Sequence, residues 1–167
     1  MKLVITGFMG SGKTRIAREL AQRLNLEMID LDERITQREG RSPAQLINDE
    51  GEAAFRSIES EILHELLAKA AACVIALGGG AWIEARNRAL IAEYGCTSIW
   101  LDVPFEVCWT RIEASDEERP LGKTRAEAQA RYDRRRPIYE LAKIHIQVSP
   151  NEDLNDLVSR ISHRLHR

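Results

Sequence analysis

The 167-residue chain has few cysteines, no strong charge bias and no long apolar run. Its three cysteines, at positions 73, 96 and 108, form no CxxC pair, and no Cys/His pair has the spacing of zinc ligands. This excludes a disulfide framework and a structural zinc site as first interpretations. The net charge of −2 is unlike that of a dedicated nucleic-acid binder, which is usually strongly basic.

No apolar run approaches the roughly 20 residues that a membrane span needs, and the apolar run at the start is too short for a signal peptide. We therefore expect a cytoplasmic globular protein that binds neither nucleic acid nor a membrane. Nothing in the sequence demands a partner chain, so the expected state is a monomer.

Short apolar runs alternate with amphipathic stretches along the whole chain, without repeats or a low-complexity linker. This alternation predicts an α/β fold, a doubly wound parallel sheet covered on both faces, in one domain spanning residues 1–167. Ser-Pro patterns at 42–45 and 149–152 predict helix starts. The five expected strands are 3–5, 28–29, 74–77, 98–101 and 144–148. Ligands of such sheets bind beyond the carboxyl ends of the strands.

The segment after the first expected strand is a phosphate-binding loop. Residues 7–14 read GFMGSGKT, which is the GxxxxGK[ST] pattern, and an amphipathic helix follows at once. Backbone N–H groups of Gly10, Ser11 and Gly12 are expected to surround phosphate oxygens at a helix N-terminus. Lys13 reaches the β- and γ-phosphates, and Thr14 offers a hydroxyl to Mg²⁺. A similar GKT string at 122–124 has no strand before it and is interpreted as loop.

Two carboxylates, Asp30 and Asp32, follow the second expected strand. Residues two apart on a strand face the same side, so both are expected to point toward the phosphate site. One would hold a Mg²⁺-bound water, and the other would orient or deprotonate a substrate hydroxyl. The alternative is that Asp32 caps the helix that follows, which explains one carboxylate and not the pair.

Arg56 and Glu59 are three residues apart in a helical region, so Glu59 can orient the guanidinium toward a carboxylate. Read in isolation, an ordinary surface ion pair is the better explanation. Three consecutive glycines, 78–80, follow the third expected strand. They leave open backbone for close approach of a ligand or form a flexible turn.

The segment 111–136 carries many charges of both signs, with Pro and Gly between helical stretches. This composition predicts a mobile lid, whose arginines would neutralise a transferring phosphoryl group. The alternative is a solvated helix of mixed charge. Acidic residues interrupt the basic ones and no aromatic platform is evident, which disfavours a nucleic-acid surface. The basic residues of its second part are Arg119, Lys123, Arg125, Arg131, Arg134, Arg135 and Arg136.

Together these motifs resemble the shikimate kinase family over nearly the whole chain. The matching motifs are the phosphate loop, DLD at 30–32, GE-x-x-FR-x-x-E at 51–59, GGG at 78–80, LDVPFE at 101–106, RPL at 119–121 and R-x-P-x-Y at 135–139. The resemblance implies a P-loop kinase fold with a five-stranded parallel sheet flanked by helices. It also implies a helical substrate-binding region at about 32–60 and a mobile lid at about 112–124.

The implied activity is transfer of the γ-phosphate of ATP to the 3-hydroxyl of shikimate, with Mg²⁺ as cofactor. Lys13, Asp32 and Arg119 would be the catalytic residues, and Thr14 and Asp30 the metal ligands, Asp30 through water. The implied shikimate-binding residues are Asp32, Arg56, Gly78, Gly79, Gly80 and Arg135. The implied nucleotide-binding residues are Gly10, Ser11, Gly12, Lys13, Thr14, Arg15, Arg111 and Arg119. Arg111 would stack on the adenine and Arg119 would meet the phosphates from the lid.

Three positions depart from the family pattern. Thr14-Arg15 stands where Ser-Thr is usual, which places a long cation beside the α-phosphate. Gly122 replaces the second Leu of RPLL and is expected to loosen the lid, and no arginine lies near 149–152 to contact the nucleotide. The rival hypotheses are another small-metabolite kinase, such as a gluconate kinase, and a non-catalytic nucleotide-binding module.

Overall fold

The computed structural model describes residues 1–115 and 124–166. Within them, five parallel strands form one sheet in the order β2-β3-β1-β4-β5. The strands are β1 (Lys2–Thr6), β2 (Glu27–Asp30), β3 (Cys73–Ala76), β4 (Thr97–Asp102) and β5 (Ile144–Gln147). All five lie where the apolar runs predicted them, and the predicted five-stranded parallel sheet is confirmed.

Helices cover both faces of this sheet, which is why β1 and β3 are apolar and buried along nearly their full length. In the described residues the α-helices are α1 (Lys13–Leu24), α2 (Leu31–Glu39), α3 (Pro43–Glu50), α4 (Glu52–Lys69), α5 (Ala85–Glu93), α6 (Phe105–Glu113), α7 (Arg125–Tyr139) and α8 (Leu154–Leu165). A short 3₁₀ turn, Ala81–Ile83, follows the glycine triplet. None of the helices in the described part of the chain has the length and apolar character of a membrane span.

One of the two predicted helix starts is confirmed. At α3 the Ser42 hydroxyl accepts a hydrogen bond from the Gln45 amide at 3.2 Å. The Gln45 side chain accepts one from the Ser42 amide at 2.8 Å, and Pro43 occupies the first turn. The helix start is therefore fixed by residues that the sequence motif names.

The helix predicted to start at 149–152 begins later, at Leu154, with Asp153 as its N-cap. Glu152 does bond the Ser149 amide at 3.2 Å, as in a capping box. Its carboxylate is also held by Arg160, at 2.7 and 2.8 Å, and the Glu152 amide bonds back to the Ser149 carbonyl at 3.1 Å. The chain therefore makes a separate turn before the helix begins.

Aromatic contacts join α7 to the phosphate loop. Tyr132 meets Phe8 edge to face with ring centroids 5.2 Å apart, and its hydroxyl donates a hydrogen bond to the Val103 carbonyl at 3.0 Å. Edge-to-face rings are a favourable arrangement for aromatic pairs. These contacts bring the α7 side chains to the carboxyl edge of the sheet, where β1 and β3 end.

Candidate active site

The phosphate loop follows β1 and ends at the first turn of α1. Gly10 and Gly12 have φ of 76° and 87°, a conformation that side-chain-bearing residues rarely adopt. A side-chain carbon at Gly10 would also lie 2.7 Å from the Cys108 carbonyl oxygen. Both glycines are thus required by the path of the loop against α6.

Lys13 and Thr14 are the first two residues of α1 and directly follow this loop. The Lys13 ammonium donates hydrogen bonds to the carbonyls of Gly7 and Phe8 at 3.0 and 2.9 Å, so it lies folded over the loop. The Thr14 hydroxyl donates to Asp30 at 2.7 Å. The hydroxyl and carboxylate expected at the metal are therefore adjacent.

The carboxylates of 30–32 do not share a strand. β2 ends at Asp30, and Asp30 is the N-cap of α2, accepting hydrogen bonds from the amides of Asp32 and Glu33 at 3.0 and 3.2 Å. The alternative in which Asp32 is the cap is therefore wrong, and so is the strand-spacing argument for the pair. The Asp32 side chain nevertheless lies against the glycine triplet. A Cβ atom built on Gly78 would be only 2.7 Å from Asp32 Oδ1.

The Thr14–Asp30 pair fits a magnesium ion that is bound together with a nucleotide. Within residues 1–115 and 124–166, no group of three or more His, Cys, Asp or Glu side chains is placed to hold a metal. Mg²⁺ usually keeps several waters and is bound by one or two protein oxygens plus substrate phosphates. One hydroxyl and one carboxylate beside a phosphate loop match that requirement.

Arg56 and Glu59 form a buried ion pair, so the surface-pair interpretation is wrong. Arg56 is 8% exposed and Glu59 is fully buried, and Arg56 Nη1 donates to Glu59 Oε2 at 2.7 Å. Burial raises the pKa of the Glu59 carboxyl to about 7, although Arg56 opposes this shift. Burial disfavours the charge on Arg56, but Glu59, Glu52 and Glu84 together outweigh this effect, so the pKa of Arg56 is raised.

The glycine triplet is packed against these charged groups. A side-chain carbon at Gly80 would overlap the Arg56 guanidinium. One at Gly78 would lie 2.7 Å from Asp32 and 3.3 Å from Glu59 Oε1. Close approach of side chains, not backbone conformation, therefore requires glycine at these two positions.

Arg135 reaches the same place from α7. It is 9% exposed, and its Nη1 donates to the Gly79 carbonyl at 3.2 Å. The Tyr139 hydroxyl donates to the same carbonyl at 2.5 Å, and burial raises the pKa of Tyr139 to about 12, so it stays a donor. Trp82 anchors this last turn of α7 through the Ile138 carbonyl at 2.9 Å. Arg135 and Arg56 are thereby both held against the glycine triplet.

A groove of about 600 Å³ lies beside the phosphate loop. Ser11, Gly12, Arg15 and Arg111 line one wall, and residues 148–154 with Leu157 line the other. Arg111 Nη1 donates to the Gly10 carbonyl at 3.1 Å. This groove has the position and polarity expected of a nucleotide site beside the phosphate loop.

A sequence model of the family described as shikimate kinase matches residues 9–166. The chain belongs to the shikimate kinase family. Shikimate kinases from Ruegeria pomeroyi and Persephonella marina are 36% and 33% identical to it over 162 residues, covering 95% of this chain and 82% and 98% of the relatives. The structure of shikimate kinase from Acinetobacter baumannii in complex with shikimate superposes with a TM-score of 0.89 and 31% identity, covering 99% of this chain and 92% of that one.

Family membership confirms the resemblance drawn from the motifs. The structure brings two groups of candidate residues to one edge of the sheet. The residues expected to bind the acceptor, called here the acceptor group, are Asp32, Arg56, Gly78, Gly79, Gly80 and Arg135. The residues expected to bind the phosphates, the metal and the nucleotide are Gly10, Ser11, Gly12, Lys13, Thr14, Arg15, Asp30 and Arg111. A Cβ atom built on Gly79 would lie 3.4 Å from the backbone nitrogen of Met9, which belongs to the phosphate loop. The two groups are therefore adjacent.

Part of the shikimate kinase prediction falls outside the described residues. Arg119, the RPL motif and Gly122 all lie in 116–123, together with most of the lid predicted at 112–124. The structure describes the two flanks of the predicted lid, where α6 ends at Glu113 and Thr124 caps α7. The roles of Arg119 and Gly122 remain predictions.

Sequence reasoning missed the residues that hold the site together. Tyr139 stands in the R-x-P-x-Y motif, but the motif gives no hint that its hydroxyl shares a carbonyl with Arg135. Arg160 supports the groove from α8, donating to Glu152 and to the Gln147 carbonyl at 2.7 Å. No local pattern links Arg160 to this turn, because the contact joins a helix to the loop that precedes it.

Proposed function

We infer that this chain transfers the γ-phosphate of ATP to the 3-hydroxyl of shikimate, giving shikimate 3-phosphate and ADP. The observation that carries this inference is the buried Arg56–Glu59 pair beside Asp32 and the glycine triplet, directly next to a phosphate loop. A fixed arginine fork suits a small carboxylate, and an adjacent aspartate suits a hydroxyl. Membership of the shikimate kinase family supports the same acceptor.

The acceptor is held at both ends in this proposal. Arg56 and Arg135 bind the shikimate carboxylate with guanidinium groups already oriented by Glu59 and by the Gly79 carbonyl. Asp32 accepts a hydrogen bond from the 3-hydroxyl and directs it toward the γ-phosphate, in line with the leaving oxygen. Such positioning supplies much of the rate enhancement in phosphoryl transfer.

The phosphate side stabilises charge on the transferring group. Lys13 leaves the Gly7 and Phe8 carbonyls and contacts the β- and γ-phosphates, and Arg119 adds a second cation from the lid. Thr14 and Asp30 are the residues that would hold Mg²⁺, Asp30 through water. When bound, Mg²⁺ offsets negative charge on the phosphate oxygens. Arg15 and Arg111 contact the nucleotide in the groove beside the phosphate loop.

We also propose that the enzyme is a cytoplasmic monomer with one domain over 1–167, a substrate-binding region at about 32–60 and a lid at about 112–124. The near-neutral charge and the unpatterned cysteines support this proposal, as does the absence of any sequence feature demanding a partner. Light scattering after size-exclusion chromatography would measure the oligomeric state directly. A mass of twice 18.9 kDa would contradict the monomer.

The decisive experiment is a coupled ADP-release assay with Mg²⁺-ATP, with and without shikimate, followed by phosphorus NMR of the product. We expect ADP release that depends on shikimate, and a phosphate on the 3-hydroxyl. Gluconate serves as the control acceptor. Turnover with gluconate and not with shikimate would contradict shikimate as the acceptor, but it would agree with the fold and the phosphate loop. Binding of ATP by folded protein without turnover would indicate a non-catalytic module.

A further inference from the structure

Arg131 stands one helical turn before Arg135 on α7, so the two side chains lie on neighbouring parts of one helix face. It is half-buried, and its Nε is shielded from solvent without a hydrogen-bond partner. Other arginines near the site are held by oxygen atoms: Arg56 by Glu59, and Arg135 by the Gly79 carbonyl. In the part of the chain that the structure describes, Arg131 forms no ion pair with an acid.

The charges around Arg131 are mostly of its own sign. Burial lowers the pKa of Arg131, and the nearby charges of Arg135, Arg134 and Arg56 lower it further, while Glu52 opposes them. Glu52 does not balance the cluster, because it is half-exposed and lies 3.6 Å from Arg56. Glu59 is already committed to Arg56 at 2.7 Å.

A half-buried guanidinium among other cations is costly in free energy unless an anion accompanies it. The position of Arg131 therefore implies an anion that arrives with a ligand. A carboxylate offers two oxygens with about four acceptor positions, so it can accept hydrogen bonds from three guanidinium groups at once. The planar fork of arginine suits such an acceptor better than the point charge of lysine.

We propose that Arg131 is a third anion-binding residue of the acceptor site, which binds the substrate carboxylate together with Arg56 and Arg135 and strengthens selection of a carboxylate-bearing acceptor. The inference rests on the proposed function, because shikimate is the carboxylate in question. It differs from that function in adding a residue that none of the sequence motifs assigns.

The test is calorimetric titration of the intact protein with shikimate and with its neutral methyl ester. The variants are Arg131→Leu and Arg131→Lys, with Arg134→Leu as the matched control, since Arg134 is an exposed arginine on the same helix. We expect Arg131→Leu to weaken shikimate binding about tenfold, the effect of one charged hydrogen bond. The affinity for the ester should change less than about twofold. The affinity of Arg131→Lys for shikimate should lie between those of the wild type and Arg131→Leu.

A second readout separates this role from a structural one. Because Arg131→Leu removes an unbalanced half-buried cation, the melting temperature of the ligand-free variant should equal or exceed that of the wild type. Lower stability together with equal loss of acid and ester binding would overturn the proposal, as would wild-type affinity for shikimate in Arg131→Leu. Failure of the proposed function is seen separately, as a wild-type protein that neither binds nor phosphorylates shikimate.

Discussion

The proposed acceptor side and the proposed nucleotide side of this site hold their charged groups differently. On the acceptor side Arg56 and Arg135 are under 10% exposed and are fixed by Glu59 and by a backbone carbonyl. On the nucleotide side Arg15 and Arg111 are exposed to solvent. The turn at 148–153 depends on Arg160, whose side chain is 43% exposed.

This difference in burial predicts how strongly each side depends on its charged side chains. Buried charges act in a low effective dielectric and cannot rearrange freely, so the proposed acceptor side has a fixed shape and a fixed arrangement of charge. Exposed ion pairs contribute little, about 0–1 kcal/mol each, so the nucleotide side relies more on the backbone of the phosphate loop. Substitutions should therefore have larger effects on the acceptor side.

The largest effect is expected for Arg56→Ala or Arg135→Ala, which removes one guanidinium from the carboxylate clamp. We expect KM for shikimate to rise about 100-fold, the equivalent of ~3 kcal/mol, with KM for ATP changed less than about threefold. Steady-state kinetics with each substrate varied in turn measures the two KM values separately. Arg38→Ala is the matched control, since Arg38 pairs with Glu61 and Glu65 on the exposed surface. Unchanged shikimate kinetics in both site variants would remove the clamp assignment.

Gly80→Ala is expected to act through Arg56 without changing a charge. The added carbon overlaps the guanidinium and displaces it from the acceptor, so KM for shikimate should rise about 30-fold. In the Arg56→Ala background the same substitution should add less than about threefold, because its target is gone. Full additivity of the two substitutions would show that Gly80 is required for another reason.

Replacement of Glu59 tests whether its pKa of about 7 reflects burial in the folded protein. The folded pKa lies above the value near 4.5 expected for the unfolded chain, so the folded state binds more protons between those values. The contribution of Glu59 to stability is therefore complete below about pH 4.5 and is lost as the pH rises toward 7. Urea unfolding of wild type and Glu59→Gln at pH 5 to 8 should show the wild type losing stability relative to the variant up to pH 7. A flat or rising difference would contradict the raised pKa.

On the nucleotide side, Arg111→Leu should raise KM for ATP about fivefold and leave KM for shikimate unchanged. Arg111 is exposed and also holds the Gly10 carbonyl, so both its charge and its support of the loop are lost. The difference from wild type should shrink at high salt, since exposed charges are screened. A larger change in KM for shikimate than in KM for ATP would contradict the assignment of Arg111 to the nucleotide side.

The smallest effect is expected for Arg160→Leu, which releases Glu152 and the 148–153 turn. KM for ATP should rise about threefold with kcat unchanged, because the residue positions a wall of the groove and does not contact the reacting atoms. Arg160→Lys should restore part of the loss. Equal increases in KM for shikimate and for ATP would indicate that the substitution destabilises the whole protein.

Much of the architecture followed from local patterns. The apolar runs located all five strands, and the Ser42 capping box located α3, since both depend on neighbouring residues. The same reasoning gave the wrong start for α8, because residues 149–152 form a separate turn, in which Arg160 also holds the Glu152 carboxylate, and the helix begins at Leu154. It also misjudged Asp30 and Asp32, because β2 ends at Asp30, two residues earlier than the strand-spacing argument required.

The amino-acid sequence is enough to identify the phosphate loop, the order of strands and helices, and the motifs of the shikimate kinase family, because each is a pattern of neighbouring residues. The folded structure is needed to show that Arg56 and Glu59 are a buried pair, that Gly78 and Gly80 are needed for close approach, and that Arg131 lies without an acid partner in the described residues. Burial and charge balance depend on which distant segments meet, and helices and strands far apart in the chain converge at this edge of the sheet.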